Sequence, residues 1–314
     1  MAIASALAGA VSALVQTDLK RMLAFSTISH SGTILAGIAL LSPEGLAGAM
    51  VLLLGQGLLK GALFMLVGRL LDRHGTTDIR ELYGRGRHHP FHAGVFFVAT
   101  LGMTGLPGFV SWAGKSFFEH ALHLEGLGWT KYPLLLASAL SGAALLSAGA
   151  HVFLGWGPRP EEEADEPARG SDEHSEQAPT LEMLVAPTLL VALAISLTFV
   201  DELGPKSERW ATVLTEPSIT LEKVLRGTTV AVQPPGHTHL QPRAIFPGII
   251  ACAVAVALAS SWLARKKLPR RMRRLGEHLT VPVHAIQSGD VCDYVLWMSV
   301  GMAAVGAVLV LNTG

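Results

Sequence analysis

Residues 46–71 read LAGAMVLLLGQGLLKGALFMLVGRLL. The run is apolar without alternation and exceeds the roughly 20 residues that a helix needs to cross a bilayer. A continuous run of this length is read as a helix rather than a strand. Near its middle stands Lys60, with apolar residues on both sides. An amine at that depth costs about 2.5–3.5 kcal/mol on insertion scales. It must therefore face a polar interior and find partners there.

Composition extends the reading to the whole chain. Of 314 residues, 50% are hydrophobic and 15% are charged, where a soluble domain carries about 25% charged residues. Eight apolar blocks stand out, at 1–16, 20–41, 46–71, 92–122, 133–156, 181–200, 244–264 and 291–312. Backbone groups cannot be left unpaired in lipid, so each block is expected to be helical. The fold class is an all-α polytopic membrane protein with about eight transmembrane helices. The first block, Met1 to Val15, is Ala-rich and lacks a basic leading region, so it is read as a mature helix and not a cleavable signal.

Basic residues orient the chain. The connections after the odd blocks hold Lys20 and Arg21; Arg73, Arg80, Arg85 and Arg87; Arg159 and Arg169; and the run from Arg265 to Arg274. The connection after the second block holds none, and that after the fourth holds Lys131. Positive-inside bias places the odd connections in the cytoplasm and the N-terminus outside. The sixth connection, 201–243, has five basic residues offset by acids; residues 202–243 are expected to form a surface loop, with a short amphipathic helix in PSITLEKVLRG.

Residues 157–180 are acidic, contain proline and are poor in apolar residues, which predicts a flexible linker. The expected organisation is a five-helix unit at 1–156, the linker at 157–180 and a three-helix region at 181–314. Net charge is zero, so the basic footprint of a nucleic-acid partner is missing. Cys252 and Cys292 lie in or beside apolar blocks and are read as packing residues.

Four charged or titratable groups fall within the apolar blocks. Lys20 opens the second block, and His30 lies ten residues on, about 15 Å along a helix axis. Lys60 is the third. Lys115 is the fourth, with Glu119 one turn later on the same face. Ahead of Lys115, GMTGLPGF places Gly102, Gly105, Pro107 and Gly108 mid-block. Pro107 removes a helix hydrogen bond and the glycines weaken others, so a broken helix is expected around Gly105, Pro107 and Gly108. Breaks at membrane depth are tolerated where they line a polar cavity. Taken singly, Lys20 reads as an interfacial anchor and His30 as a buried hydrogen-bonding group.

Three stretches, QTDLKRMLAFSTISHSG (16–32), GQGLLKGALFMLVGRLLDRHGTTDIREL (55–82) and GLPGFVSWAGKSFF (105–118), occur in an order that resembles antiporter-like proton-pumping membrane subunits. That family includes the large membrane subunits of complex I, those of membrane-bound hydrogenases, and subunits of multi-subunit Na+/H+ antiporters. The ending at 286–311 resembles the last helix of some members more weakly. The resemblance implies a proton relay through Lys20, His30, Lys60 and Lys115. Gln56 stands where many members have histidine; it hydrogen-bonds but does not titrate. With Glu119 it is a supporting candidate.

The resemblance covers one five-helix repeat, where full-length members carry two. The missing repeat is expected in a separate chain or a longer reading frame, or else the protein is a reduced relative. The implied partners are other membrane subunits, protons or Na+, and lipids, in a bacterial plasma membrane. The leading expectation is a subunit of a complex I-like or hydrogenase-like assembly, with an Na+/H+ antiporter subunit second and a non-conducting scaffold third. His88, His89 and His92 are read as headgroup-level residues and not as metal ligands, so neither metal nor cofactor is expected. No nucleophile triad, phosphate loop or cluster-binding motif is evident, and any coupled redox chemistry is expected in a partner.

Overall fold

The structure is a computed structural model and describes residues 1–158, 182–200, 203–215 and 245–264. All of these belong to one compact unit within residues 1–267. Most of the linker, the segment 217–227, Cys292, the run Arg265 to Arg274 and the block 291–312 lie outside the described residues.

The described residues form nine α-helices and no strand. They are α1 (Ala2–Val15), α2 (Leu19–Ile38), α3 (Pro43–His74), α4 (Pro90–Thr104), α5 (Val110–Leu124), α6 (Lys131–Gly149), α7 (Glu182–Ser196), α8 (Leu203–Thr215) and α9 (Ile245–Leu263). The boundaries follow local chemistry. Asp18 caps α2 by accepting from the Arg21 N–H at 2.9 Å. Ser42 caps α3 by accepting from the Gly45 N–H, and Pro43 fills the first turn, where its missing N–H is harmless. Helix α3 stops at Gly75, whose left-handed φ of 69° closes the last turn.

Three helical stretches are individually long and apolar enough to cross a membrane: Pro43–His74, Gly128–Leu154 and Ile245–Leu263. The pair Val185–Phe199 and Leu203–Thr215, bent by 85°, passes only when taken together. Helices α1 and α4 are shorter apolar helices. The fourth sequence block is divided as expected, into α4 and α5. Helix α2 owes its lower hydropathy to Ser26, Ser29, His30 and Thr33, which are all buried. These sit at i, i+3, i+4 and i+7, so the helix turns a polar stripe inward.

One expectation is corrected. Composition predicts a surface loop over 202–243, but α8 occupies its beginning and packs against α3. Its buried residues, Gly204, Glu208, Ala211 and Thr212, fall at helical spacing. The pattern is short and weakly apolar, so it becomes a helix through the surface that α3 offers it.

Helices α3 and α5 approach closely because glycine faces backbone. A Cβ added to Gly55 would come within 2.6 Å of the Ser111 nitrogen, and one on Gly114 would collide with the Leu52 backbone. Small residues allow this contact where van der Waals packing, rather than a hydrophobic force, holds helices together. Helix α9 packs on α6, and its Gly248 lies against the Gly105 carbonyl. The broken segment between α4 and α5 is thus enclosed by α3 and α9.

Candidate functional site

A helix that ends inside a protein leaves its last carbonyls without intrahelical donors. Helix α4 ends at Thr104 because Gly105 adopts φ 116°, a conformation that L side chains rarely take. Side chains from other elements then serve the exposed carbonyls. Ser111 Oγ donates to the Gly102 carbonyl at 2.6 Å. Gln56 Nε2 donates to the Met103 carbonyl at 3.2 Å. Lys115 Nζ donates to the Thr104 carbonyl at 2.7 Å. The positive amine also sits at the negative end of the α4 dipole.

Lys115 is 7% exposed and has a second acceptor, Ser138 Oγ on α6, at 2.9 Å. Beyond it lies a small cavity lined by Thr33, Lys115, Phe118, Glu119, Lys131 and Ser138. Glu119 is half-buried there, within electrostatic reach of Lys115 and Lys131. Lys131 in turn approaches His123 Nε2 at 3.4 Å, on the exposed side of the bundle.

Lys60, also 7% exposed, is held by α2. Its Nζ donates to Ser26 Oγ at 2.7 Å, Thr27 Oγ1 at 3.1 Å and the Leu23 carbonyl at 3.4 Å. These three acceptors satisfy the three N–H groups of an ammonium. One turn on, His30 Nδ1 lies 2.7 Å from the Ser26 carbonyl. A carbonyl only accepts, so Nδ1 carries hydrogen and Nε2 of a neutral ring is a base. That Nε2 is buried without a formed hydrogen bond, within electrostatic influence of the Met103 carbonyl that Gln56 also serves. On taking a proton, Nε2 becomes a donor directed at the broken segment.

The structure therefore brings Lys60, His30, Gln56 and Lys115 to one interior polar string, with Glu119 at its far end. Lys20 stands apart: it is exposed on the first turn of α2, beside the cap that joins Asp18 to Thr77 Oγ1. Gly105 and Gly108 both have left-handed φ, and Pro107 lies between them, in the predicted break. The sequence reading missed Ser26, Thr27, Thr104 and Ser138 as amine partners. Its usable signal was the polar stripe of α2. Among the described residues, no group of three His, Cys, Asp or Glu is arranged to hold a metal.

Residues 1–147 match the family described as NADH:quinone oxidoreductase/Mrp antiporter, TM. The resemblance read from the three motifs holds over that stretch. The chain is 36% identical over 142 residues to "NADH-quinone oxidoreductase subunit N 3" of Streptomyces griseus, covering 45% of this chain and 26% of that protein. It is 33% identical over 156 residues to "NADH-quinone oxidoreductase subunit M" of Mycobacterium tuberculosis, covering 50% and 26%. The aligned part thus spans about a quarter of the length of these relatives. Among solved structures, the chain is similar to one in the Mrp complex from Dietzia sp. DQ12-45-1b. That match has a TM-score of 0.56 and 20% identity, and covers 99% of this chain and 33% of the other. At that identity the likeness concerns the fold. The described residues form an all-helical fold with helices long and apolar enough to cross a membrane, and the family match extends over residues 1–147.

Proposed function

We propose that this chain is a proton-translocating membrane subunit of a complex I-like assembly, of the NADH-quinone oxidoreductase or membrane-bound hydrogenase type. The observation that carries the reading is the pair of interior amines flanking the α4–α5 break. Lys60 rests on the α2 hydroxyls, and Lys115 rests on the last carbonyl of α4. Both are enclosed and both have polar routes to further titratable groups. Among the described residues, neither has a carboxylate within ion-pairing distance that would fix its charge.

In this reading a proton leaves the Lys60 ammonium toward the Ser26 hydroxyl and the His30 side of α2. The uncharged amine keeps its place through the same oxygens. His30 accepts at Nε2 and passes the charge toward the broken segment. Lys115 takes up the proton at the Thr104 carbonyl and delivers it to the cavity with Glu119 and Lys131. Gln56 orients the Met103 carbonyl without titrating. Lys20 is the surface station at the start of α2. The redox or ion gradient that drives the cycle belongs to other subunits.

Proton flux into vesicles that hold the intact complex tests this. Lys60→Ala and Lys115→Ala should each abolish most pumping while assembly persists; normal flux in both would overturn the reading. The family description names Mrp antiporters alongside quinone oxidoreductases, so a cation/proton antiporter subunit is the second reading. It requires flux to follow an imposed Na+ gradient without quinone reduction. Unchanged flux with intact assembly would leave the scaffold role.

A further inference from the structure

At the opposite end of α3 from Ser42, six cationic or potentially cationic side chains gather with no ion-paired carboxylate among the described residues. Arg69, Arg73 and His74 come from the last turns of α3, Arg85 and His89 from the connection, and His92 from the first turn of α4. They act on one another electrostatically: His92 feels Arg69, His89 and Arg73, and His74 feels Arg85, Arg73 and His89. The His89 and His92 rings meet edge to face at 5.4 Å. Burial, followed by the charges of Arg73 and Arg69, lowers the pKa of His89, which lies outside the helices.

Three polar atoms of this cluster, Arg69 Nη1, His74 Nε2 and His92 Nε2, are buried and have no hydrogen-bond partner among the described residues. Leaving such groups unpaired is costly, and more so for a charged one. Asp72 and Glu81 are close in sequence but pair with none of these residues. The backbone adds to the imbalance: α4 begins at Pro90 with no side chain capping its N-terminus. An uncapped helix start beside buried unpaired donors is an arrangement suited to an anion.

The surroundings select the kind of anion. Along α3, Met65 is 49% exposed one turn before Arg69, and the neighbouring Phe64 is 40% exposed. Phe91 is 49% exposed beside His92. Exposed apolar side chains thus lead up to the cluster from the bilayer side, and the basic connection follows on the other. That is the level of a lipid phosphate. We infer that Arg69, Arg73, His74, Arg85, His89 and His92 form a binding site for the phosphate of an anionic phospholipid, whose acyl chains lie against Phe64 and Met65. The lipid phosphate accepts from Arg69 and His92 and satisfies donors that the protein leaves open.

The test uses the purified full chain in detergent, followed by native mass spectrometry and thermal unfolding. Phosphatidylglycerol, phosphatidylcholine with the same acyl chains, and inorganic phosphate are titrated separately. Phosphatidylglycerol should bind at least about tenfold more tightly than phosphatidylcholine: both carry the phosphate, but the choline ammonium brings a positive charge into a cationic cluster, at about 1 kcal/mol per nearby charge. R69Q with R73Q should remove that selectivity, whereas R80Q, on an exposed arginine outside the cluster, should keep it. Without lipid, R69Q should not lower the unfolding midpoint, because the buried Arg69 Nη1 has no hydrogen bond to lose among the described residues. Equal affinity for the two lipids would overturn the site. So would selectivity that survives R69Q with R73Q, or a lower midpoint for lipid-free R69Q. A response to inorganic phosphate equal to that for phosphatidylglycerol would overturn the lipid assignment.

Discussion

Replacing each interior lysine with methionine separates the two amines by stability as well as by transport. Methionine keeps length and volume but removes the charge and all donors. At Lys60 the abandoned oxygens do not become orphans. Ser26 Oγ still donates to the Leu23 carbonyl at 2.7 Å, and Thr27 Oγ1 donates to the same carbonyl at 2.9 Å. The substitution also removes an amine that costs about 2.5–3.5 kcal/mol to place at the centre of a membrane helix. Against that stand the hydrogen bonds of the ammonium, at about 1.5–3 kcal/mol each for a charged group, of which the 3.4 Å bond to the Leu23 carbonyl is the longest. The same gain, and the loss of two short hydrogen bonds, apply at Lys115, so the two variants differ by what each leaves behind. At Lys115 the Thr104 carbonyl loses its donor, and Ser138 Oγ loses the hydrogen bond it accepts from the amine. A buried carbonyl left unpaired costs about 1–3 kcal/mol, so Lys115→Met should be less stable than Lys60→Met by about that amount. Equilibrium unfolding of both variants in the same lipid nanodiscs measures the difference directly. A Lys60→Met variant that is destabilised as much as Lys115→Met would refute the reasoning, because it would show that the α2 hydroxyls depend on Lys60.

Three further outcomes follow from the same geometry. Gly105→Ala forces a Cβ into φ 116° and to 3.2 Å from Lys115 Nζ; strain of about 1–3 kcal/mol should lower the unfolding midpoint, and an unchanged midpoint would count against the break as described. Gln56→Leu should cost about 1–3 kcal/mol by stranding the Met103 carbonyl, while Gln56→His should retain most stability because a ring N–H can donate there. Gly114→Val should cost about 1–3 kcal/mol or more by overpacking, since a side chain there meets the Leu52 backbone; nativelike unfolding of that variant would mean that α3 and α5 are not in close contact.

The legibility of the fold varies with the range of the forces involved. Pro107 and the flanking glycines break the helix through local sterics, so the boundary between α4 and α5 could be read within a few residues. Lys60 and Lys115 were readable because an amine in an apolar run is costly wherever the run packs. The partners of these amines were not readable. Lys60 reaches acceptors 33, 34 and 37 positions away, and Lys115 reaches Ser138, 23 positions away. Such pairings depend on how α2, α3, α5 and α6 are rotated about their axes. Helix α8 was missed for a related reason: its pattern is weak until α3 supplies the surface it covers.

Sequence alone determined the helical membrane class, the interior amines, the break at Gly105–Gly108 and the resemblance carried by the three motifs. Each follows from local backbone sterics or from the cost of polar groups in lipid, and neither needs a partner element. Tertiary structure decided which oxygens hold Lys60 and Lys115, that Gln56 and Lys115 serve adjacent carbonyls of one helix end, and that Lys20 lies outside the string. It also gathered Arg69, His74 and His92 around unpaired nitrogens. These depend on the crossing of helices far apart in the chain, where a side chain's role is set by what the fold places opposite it.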